Sequence, residues 1–304
     1  MKPIRLGKWQ GLGNDYLIVD EWTLPRALTS ASIGLLCDRH LGLGSDGILL
    51  NCRPTGAVPG AIARMRIFNP DGSEPEMCGN GIRMFARYLR ASGATNESEF
   101  TVETLAGPIR PAVIADGRVR VDMGLARFVS SSVAPEAGRT SGLYEGPAEG
   151  EIVDALLKAN GESRRFTFVD VGNPHCVLRV DDPDSCDVAR MGSAIEHHCL
   201  FPNRVNVQFA RLETDGSVRM RVWERGVGET RASGTGASAV GAAFARLGLA
   251  TSPITVHLPG GDLSIEAEGA AEGMAAFRLH MTGPAEEIFT AELSEEILQQ
   301  LGWS

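Results

Sequence analysis

Cysteine is scarce in this sequence, with 6 residues among 304 and no Cys-x-x-Cys pair. So few cysteines exclude a fold of this length held together by disulfides. The missing pair spacing also argues against structural zinc. The run His197-His198-Cys199 could suggest a metal, but partner ligands do not cluster near it, so we predict no metal site.

Long apolar runs are also missing. The longest stretch of small apolar residues, 232–250, contains serine, threonine and Arg246, and it is too polar to cross a bilayer. The first residues lack the apolar core of a signal peptide, so we expect a cytoplasmic protein without a membrane partner. Basic residues are outnumbered by acidic ones, 29 against 38, and the net charge of −9 opposes binding to nucleic acid.

The two halves of the chain resemble each other. Met77–Gly81 aligns with Ala232–Gly236 at an offset of 155 residues, and Gly13-Asn14 aligns with Gly172-Asn173 at an offset of 159. The length suits about two domains, and 43% hydrophobic residues is ordinary for a globular protein. The duplication therefore predicts a pair of domains related by a pseudo-twofold axis.

Short strands and a few helices are predicted along the chain. Residues 130–150, rich in Ser, Pro, Gly and Ala, are interpreted as a surface connection. We place the first domain at residues 1–124 together with 282–304, and the second at 125–281. The predicted helices are Ser30–Asp38, Gly79–Ala91, Gly234–Leu247 and Ser294–Leu301.

Cys78 stands between a polar turn and the start of a Gly-x-Gly helix. A thiol at a helix N-terminus faces the positive end of the helix dipole, which favours the thiolate form. The unpaired N–H groups of the first helical turn also bind carboxylates. Cys78 therefore combines an acid/base group with an anion site, whereas we expect the other five cysteines to be buried and inert.

The repeat places Ser233 where the first half has Cys78, and we expect the two to face each other across a cleft. Inversion at a carbon needs two acid/base groups on its opposite faces, because one removes a proton and the other delivers one. Two helix termini can also hold one carboxylate and stabilise the carbanion charge that develops beside it.

Five segments of the sequence, in this order, closely resemble diaminopimelate epimerases. The resemblance implies two similar α/β (α+β) domains, each a mainly antiparallel sheet or barrel wrapped around a central helix. It implies interconversion of LL- and meso-diaminopimelate, for lysine and peptidoglycan synthesis, by two bases, with no pyridoxal phosphate or other cofactor, usually in a homodimer. The segments are Gly11–Tyr16, Phe68–Arg83, Val171–Cys176, Asn203–Val207 and Glu224–Thr230.

The resemblance also implies roles for single residues. Cys78 is one of the two acid/base residues, and position 233 holds the other. Backbone N–H groups bind the carboxylate at the reacting carbon, and side chains bind the remaining amino and carboxylate groups, for which a guanidinium suits a carboxylate. Each asparagine could instead be a turn residue or a helix cap, and Glu224–Arg225 a solvated ion pair. The backbone set is Gly79, Asn80, Gly234 and Thr235, and the side-chain set is Asn14, Asn69, Asn173, Asn206, Glu224 and Arg225.

The chain departs from the family at two positions. The family pattern has a second cysteine where Ser233 stands, and a serine hydroxyl is a far weaker acid than a thiol, so we expect impaired epimerisation. Three explanations are open: a deliberate replacement of cysteine by serine, which the intact substrate motifs favour, a related racemase or dehydratase that uses one base, or a non-catalytic amino-acid-binding protein. The second departure is Gly47, where some members have a glutamine that reaches the site.

Overall fold

The computed structural model describes residues 3–129, 133–269 and 276–303. The chain forms two compact units, Met1–Val121 with Gly283–Ser304, and Asp122–Thr282. Each unit consists of β-sheet with a longer helix packed against several strands, so the predicted fold class is confirmed.

The elements, in chain order, are mostly short strands. The strands are β1 Arg5–Gly11, β2 Asn14–Asp20, β3 Ile48–Cys52, β4 Ala61–Phe68, β5 Thr101–Thr104, β6 Gly107–Ile109, β7 Ala112–Val113, β8 Val119–Arg127, β9 Tyr144–Glu145, β10 Ala155–Ala159, β11 Glu162–Asp170, β12 Pro174–Arg179, β13 Asn206–Leu212, β14 Val218–Glu224, β15 Gly228–Thr230, β16 Ile254–Leu258, β17 Gly261–Gly269, β18 Ala276–Gly283 and β19 Glu286–Glu292. The helices are α1 Ser30–Cys37, α2 Gly79–Ala91, α3 Pro135–Thr140, α4 Val188–Glu196, α5 Gly234–Arg246 and α6 Glu295–Gln300.

The sheet of the first unit has the order β19-β1-β2-β3-β4-β5-β6. Its pairs are antiparallel except β2–β3 and β4–β5, which are parallel. Helix α2 packs on this sheet because its apolar side chains recur at helical spacing, and Ile82, Phe85, Ala86 and Leu89 are all buried. The N-terminus of α2 is thereby held at a fixed place against β1 and β2.

The sheet of the second unit closes on itself. Its strands follow the order β8-β18-β17-β16-β14-β13-β12-β11, and β11 pairs with β8 through Asp170 and Arg127. Helix α5 contacts strands around this ring and is buried on nearly all sides, so it lies inside. Only small residues allow this approach: a Cβ on Gly241 would lie 2.6 Å from Ile265 Cγ2.

All four predicted helices are present, but residues 133–150 of the second unit differ in part from the prediction. Helix α2 has the predicted bounds, and α5 ends one residue early. The surface connection predicted at 130–150 is right in part: most of residues 133–150 are exposed, but they contain α3, β9 and the buried Tyr144. Residues 130–132 lie outside the described part. Among the described residues no helix is long and apolar enough to cross a bilayer.

Candidate active site

Cys78 is the N-cap residue of α2. Its backbone is extended, with φ −140° and ψ 118°, and its Sγ accepts a hydrogen bond from the Gly81 N–H at 3.3 Å. The Tyr16 hydroxyl donates to the same sulfur at 3.8 Å. Cys78 is half-buried, so this thiol is both oriented by its neighbours and open to a small molecule.

Asn14 and Asn80 are joined by a chain of hydrogen bonds that runs between charged groups. The Asn14 amide donates to Asp46 Oδ2 at 2.8 Å and accepts from the Asn80 amide at 3.2 Å. Asn80 Oδ1 accepts from Arg83 at 3.0 Å, and Arg39 donates to the other oxygen of Asp46 at 2.8 Å. The charge at each end fixes which atom of each amide is oxygen and which is nitrogen.

Asn69 lies in a tight turn instead of this chain. Its side-chain amide donates to Ser73 Oγ at 2.9 Å, and its backbone N–H donates to the Ser73 carbonyl at 2.9 Å. These contacts fit the alternative interpretation, in which Asn69 is a turn residue.

Gly47 occupies a position with no room for a side chain. A Cβ there would lie 2.4 Å from the Phe68 carbonyl oxygen and 2.7 Å from the Tyr16 ring. The glutamine that some family members have here would therefore need a different backbone path. Local packing therefore accounts for the glycine at position 47, where some family members have glutamine.

Ser233 is the N-cap residue of α5, with φ −142° and ψ 114°. Its Oγ accepts from the Gly236 N–H at 3.2 Å and donates to Glu224 Oε2 at 3.0 Å. Thr230 Oγ1 donates to the other oxygen of Glu224 at 2.5 Å. Burial raises the pKa of the Glu224 carboxyl, and the hydrogen bonds from Thr230 and Ser233 offset only part of that rise.

Asn206 and Arg225 are joined through the backbone. The Arg225 N–H donates to Asn206 Oδ1 at 2.9 Å, and the Asn206 amide donates to the Pro174 carbonyl at 3.0 Å. The Arg225 guanidinium is exposed and donates to the Asn203 carbonyl at 3.2 Å. Glu224 and Arg225 have separate partners, because the Glu224 carboxylate accepts from Thr230 and Ser233 while the Arg225 guanidinium donates to Asn203.

Asn173 is held by a buried histidine. His175 Nδ1 lies 2.8 Å from the Gln208 amide nitrogen, and its Nε2 lies 2.9 Å from Asn173 Oδ1. Because the amide nitrogen of Gln208 is a donor, Nδ1 accepts and Nε2–H donates to Asn173. Burial lowers the pKa of His175 to about 3, so the ring is neutral at physiological pH.

The residues expected to bind a carboxylate through their backbone occupy the first turns of two helices. Gly79 and Asn80 are the first two residues of α2, and Gly234 and Thr235 are the first two of α5. N–H groups at these positions have no partner within their own helix. Both helix termini can therefore bind an anion.

Four contributing residues were missed by the sequence analysis. Tyr16 contacts Cys78, and Thr230 contacts Glu224. Gln208 contacts the His175 ring that holds Asn173, and Glu196 binds the turn beside Arg225. The offset of 159 residues places Tyr16 on His175, so the repeat carried a signal for this one. Thr230 ends the segment Glu224–Thr230, and Gln208 directly follows Asn203–Val207, but neither position signalled its contact in the sequence. Only the fold brings Glu196 to the turn beside Arg225.

The other cysteines are not all alike. Cys37, Cys52 and Cys176 are buried, and burial raises the pKa of each thiol, which fits inert residues. Cys199 is exposed, so the expectation that it is buried was wrong. It lies after α4 between the buried His198 and Leu200, and its Sγ lies 3.5 Å from Ser141 Oγ.

One group of possible metal ligands occurs in the described part of the chain. It consists of Glu266, Glu268 and His280, whose ligand atoms lie within 4.8 Å of one another on β17 and β18. None of the candidate site residues belongs to this group.

Sequence comparison gives long matches. The family model described as diaminopimelate epimerase matches residues 7–129 and 167–288. The diaminopimelate epimerase of Moorella thermoacetica is 44% identical over 293 residues, which cover 94% of this chain and 97% of the relative. That of Synechocystis is 41% identical over 295 residues, which cover 95% and 98%.

Solved structures with low sequence identity share the fold. A phenazine biosynthesis protein of the PhzF family from Bacillus anthracis aligns with a TM-score of 0.68 and 18% identity over 97% of this chain and 100% of its own. A hydroxyproline epimerase from Agrobacterium vitis aligns with a TM-score of 0.63 and 16% identity over 96% and 91%. Because the family model covers most of the sequence and the relatives match over nearly their full length, this chain belongs to the diaminopimelate epimerase family.

Proposed function

We propose that the protein interconverts LL- and meso-diaminopimelate by proton transfer at one Cα. The observation that carries the proposal is the pair of helix N-termini, one capped by Cys78 and the other by Ser233 with Glu224 beside it. The membership in the family supports the substrate. The product feeds lysine and peptidoglycan synthesis, and we expect the reaction in the cytoplasm.

Cys78 is the group proposed to exchange a proton with one face of Cα. Its thiolate accepts the Cα proton, and the C–H electron pair becomes an enolate delocalised over the adjacent carboxylate. The N–H groups of Gly79 and Asn80, with those of Gly234 and Thr235, bind that carboxylate and stabilise the added charge. The protein's own groups supply this chemistry, so the proposed mechanism needs no pyridoxal phosphate and no metal.

The opposite face of Cα is proposed to belong to position 233. The Ser233 hydroxyl donates its hydrogen bond to Glu224, and the carboxylate is far too weak a base to form the alkoxide. A cysteine at this position could pass its proton to Glu224, whose raised pKa brings the two groups closer in acidity. We therefore expect slow epimerisation with Ser233 and much faster epimerisation with a thiol.

The rest of the substrate needs partners for a second amino group and a second carboxylate. We propose that Arg225 binds the second carboxylate, because its exposed guanidinium matches that group in charge and shape. The amide groups around it would come from Asn14, Asn69, Asn173 and Asn206. Glu224 would also face the second amino group.

The test measures solvent deuterium at Cα. LL- and meso-diaminopimelate are incubated in D₂O with the unaltered protein and with Ser233→Cys, and exchange and epimer ratio are followed by NMR. We expect the variant to epimerise about 10² to 10⁴ times faster, the usual contribution of a placed acid/base group. Equal rates in the two proteins would show that position 233 is not the second base.

Two other functions have one observation in their favour, the hydroxyl of Ser233 in place of a thiol. A related one-base racemase or hydroxyamino-acid dehydratase would isomerise or dehydrate hydroxyproline-like compounds. An amino-acid-binding protein would bind diaminopimelate in calorimetry and show no turnover even as Ser233→Cys. The exchange experiment, repeated with these compounds, separates the three.

We also propose that the protein forms a homodimer. Strand β19 is at one edge of the described sheet of the first unit, and Ile288 and Phe289 are 51% and 39% exposed on it. An edge strand with exposed apolar side chains is suited to pairing with a second copy. Light scattering should give twice the mass of one chain, and Ile288→Lys should reduce it to one.

A further inference from the structure

The turn that carries Arg225 has a defined geometry. The Glu224 carbonyl accepts from the Val227 N–H at 3.0 Å, which closes a β-turn with Arg225 and Gly226 at its centre. Gly226 has φ +74°, and Arg225 is not among the described residues with positive φ. This combination is a type II turn, in which glycine is favoured at the third position.

The peptide between Arg225 and Gly226 is the part of such a turn that can flip. A flip by about half a rotation converts type II to type I, because it reverses the direction of this one N–H and C=O. Asn206 Oδ1 already holds the Arg225 N–H on the other side of the residue. A flip leaves the Arg225 Cα–Cβ bond nearly in place but releases the turn from whatever holds the Gly226 N–H, so the position of the turn, and of Arg225 within it, depends on that contact.

Glu196 at the end of α4 holds that group. Its Oε1 accepts from the Gly226 N–H at 2.9 Å, and its Oε2 accepts from Trp223 Nε1 at 2.7 Å. Arg204 Nη1 lies 3.5 Å from Oε1. The Glu196 side chain is only 3% exposed, so these three donors replace water around it.

The carboxylate is ionised despite its burial. Burial alone would raise the pKa of Glu196, but the hydrogen bonds from Trp223 and Gly226, together with the charges of His197 and Arg204, lower it below the ordinary value. Both oxygens are then acceptors only, which suits two N–H donors on two sides.

Helix α4 fixes where the carboxylate lies. Gly192 is one turn before Glu196 on the same face, and a Cβ on Gly192 would lie 2.5 Å from Trp223 Cγ. The helix backbone therefore rests directly against the indole, and Glu196 reaches the turn from a rigid support.

We propose that Glu196 is a positioning residue, which keeps Arg225 aimed at the second carboxylate of the substrate by locking the Arg225–Gly226 peptide. The inference rests on the proposed function, in which Arg225 binds that carboxylate. It predicts that Glu196 contributes to selectivity for a diacid over an amino acid with one carboxylate.

The test compares binding of meso-diaminopimelate and L-lysine, which lacks the second carboxylate, by calorimetry. Glu196→Gln replaces one acceptor oxygen by an NH₂ group. This donor then faces a second donor, either the indole N–H of Trp223 or the Gly226 N–H, and that hydrogen bond is lost. Gly226→Ala acts on the same peptide in another way, because an added Cβ meets nothing within 4 Å but disfavours φ +74°. Each variant should weaken diaminopimelate binding about fivefold or more and leave lysine binding unchanged.

Matched controls use the same changes elsewhere in the second unit. Glu213→Gln alters a carboxylate bound by Arg211 and Arg219, and Gly216→Ala alters a turn glycine with φ +86° and no Cβ contact. Neither should change the ratio of the two dissociation constants.

The outcomes separate the two hypotheses. A selective loss of diaminopimelate affinity in both variants supports the positioning role. An equal loss for both ligands, or no loss, overturns it and leaves the proposed function standing. If the unaltered protein binds neither ligand, the proposed function is wrong and the inference falls with it.

Discussion

The N-termini of α2 and α5 have almost the same backbone but different chemistry. The cap residues Cys78 and Ser233 differ by only 2° in φ and 4° in ψ, and each side chain accepts from the N–H three residues later. The sulfur has a neutral phenol beside it, from Tyr16, whereas the hydroxyl has a carboxylate, from Glu224. The two halves of the chain therefore share the backbone conformation at these helix starts but differ in the cap side chain and in the group beside it.

The difference shows where the titratable group lies in each unit. In the first unit the acid/base group is the Cys78 thiol itself, and the residue at the equivalent of Glu224 is Asn69, which is engaged in its own turn. A serine hydroxyl does not ionise at physiological pH. In the second unit the group that can change charge is therefore Glu224 and not the cap residue.

The largest expected effect comes from removing the thiol that caps α2. Cys78→Ala should lower deuterium exchange at Cα by about 10³-fold or more, because no other group on that face can accept the proton. Exchange is measured by NMR in D₂O. Cys199→Ala, which removes an exposed thiol elsewhere, is the control and should keep the original rate. If Cys78→Ala keeps the original exchange rate, Cys78 is not the acid/base group, and the difference between the two helix caps has no catalytic role.

A smaller effect is expected from Glu224. In a protein that carries Ser233→Cys, the further change Glu224→Gln should lower kcat/KM by about tenfold to a hundredfold. The carboxylate must be ionised to act as a base, so activity should rise with pH through its raised pKa, above the ordinary 4.5. The variant should lose this rise in the pH profile. An unchanged profile would show that Glu224 does not take the proton.

The buried His175 should make the second unit sensitive to acid. Its folded pKa of about 3 is lower than the ordinary 6.5, so the unfolded chain binds the extra proton as the pH falls. The stability that neutral His175 provides is fully present above pH 6.5 and is lost down to about pH 3, by up to about 1.4 kcal/mol per pH unit. Urea unfolding at several pH values measures this slope, which His175→Gln should reduce. The exposed His197→Gln should leave it in place, and equal slopes in both variants would contradict the assignment.

The smallest effect concerns helix capping. Ser233→Ala should lower the free energy of unfolding by about 1 kcal/mol, the usual value for a lost serine cap. Cys78→Ala should cost less, because sulfur is a weak acceptor. Urea unfolding of the two variants compares the caps directly. A larger loss of unfolding free energy for Cys78→Ala than for Ser233→Ala would contradict this prediction.

The sequence predicted the features that depend on neighbouring residues. The bounds of α2 follow from the turn before Cys78 and from its apolar spacing, and the offset of 155 residues gives the start of α5. Helix α4 was missed because a short helix with a mixed pattern has a weak signal, and burial of Tyr144 depends on residues distant in sequence. Propensity and periodicity describe such local features and little beyond them.

The sequence by itself determined which residue caps each helix, because a cap depends on the turn before it and the N–H groups after it. The tertiary structure alone decided what stands beside each cap. Glu224 meets Ser233 because β14 and β15 bring strand and helix ends together, and Glu196 meets Gly226 because α4 rests on Trp223. Contacts of this kind depend on how the elements pack against one another, which no local pattern encodes.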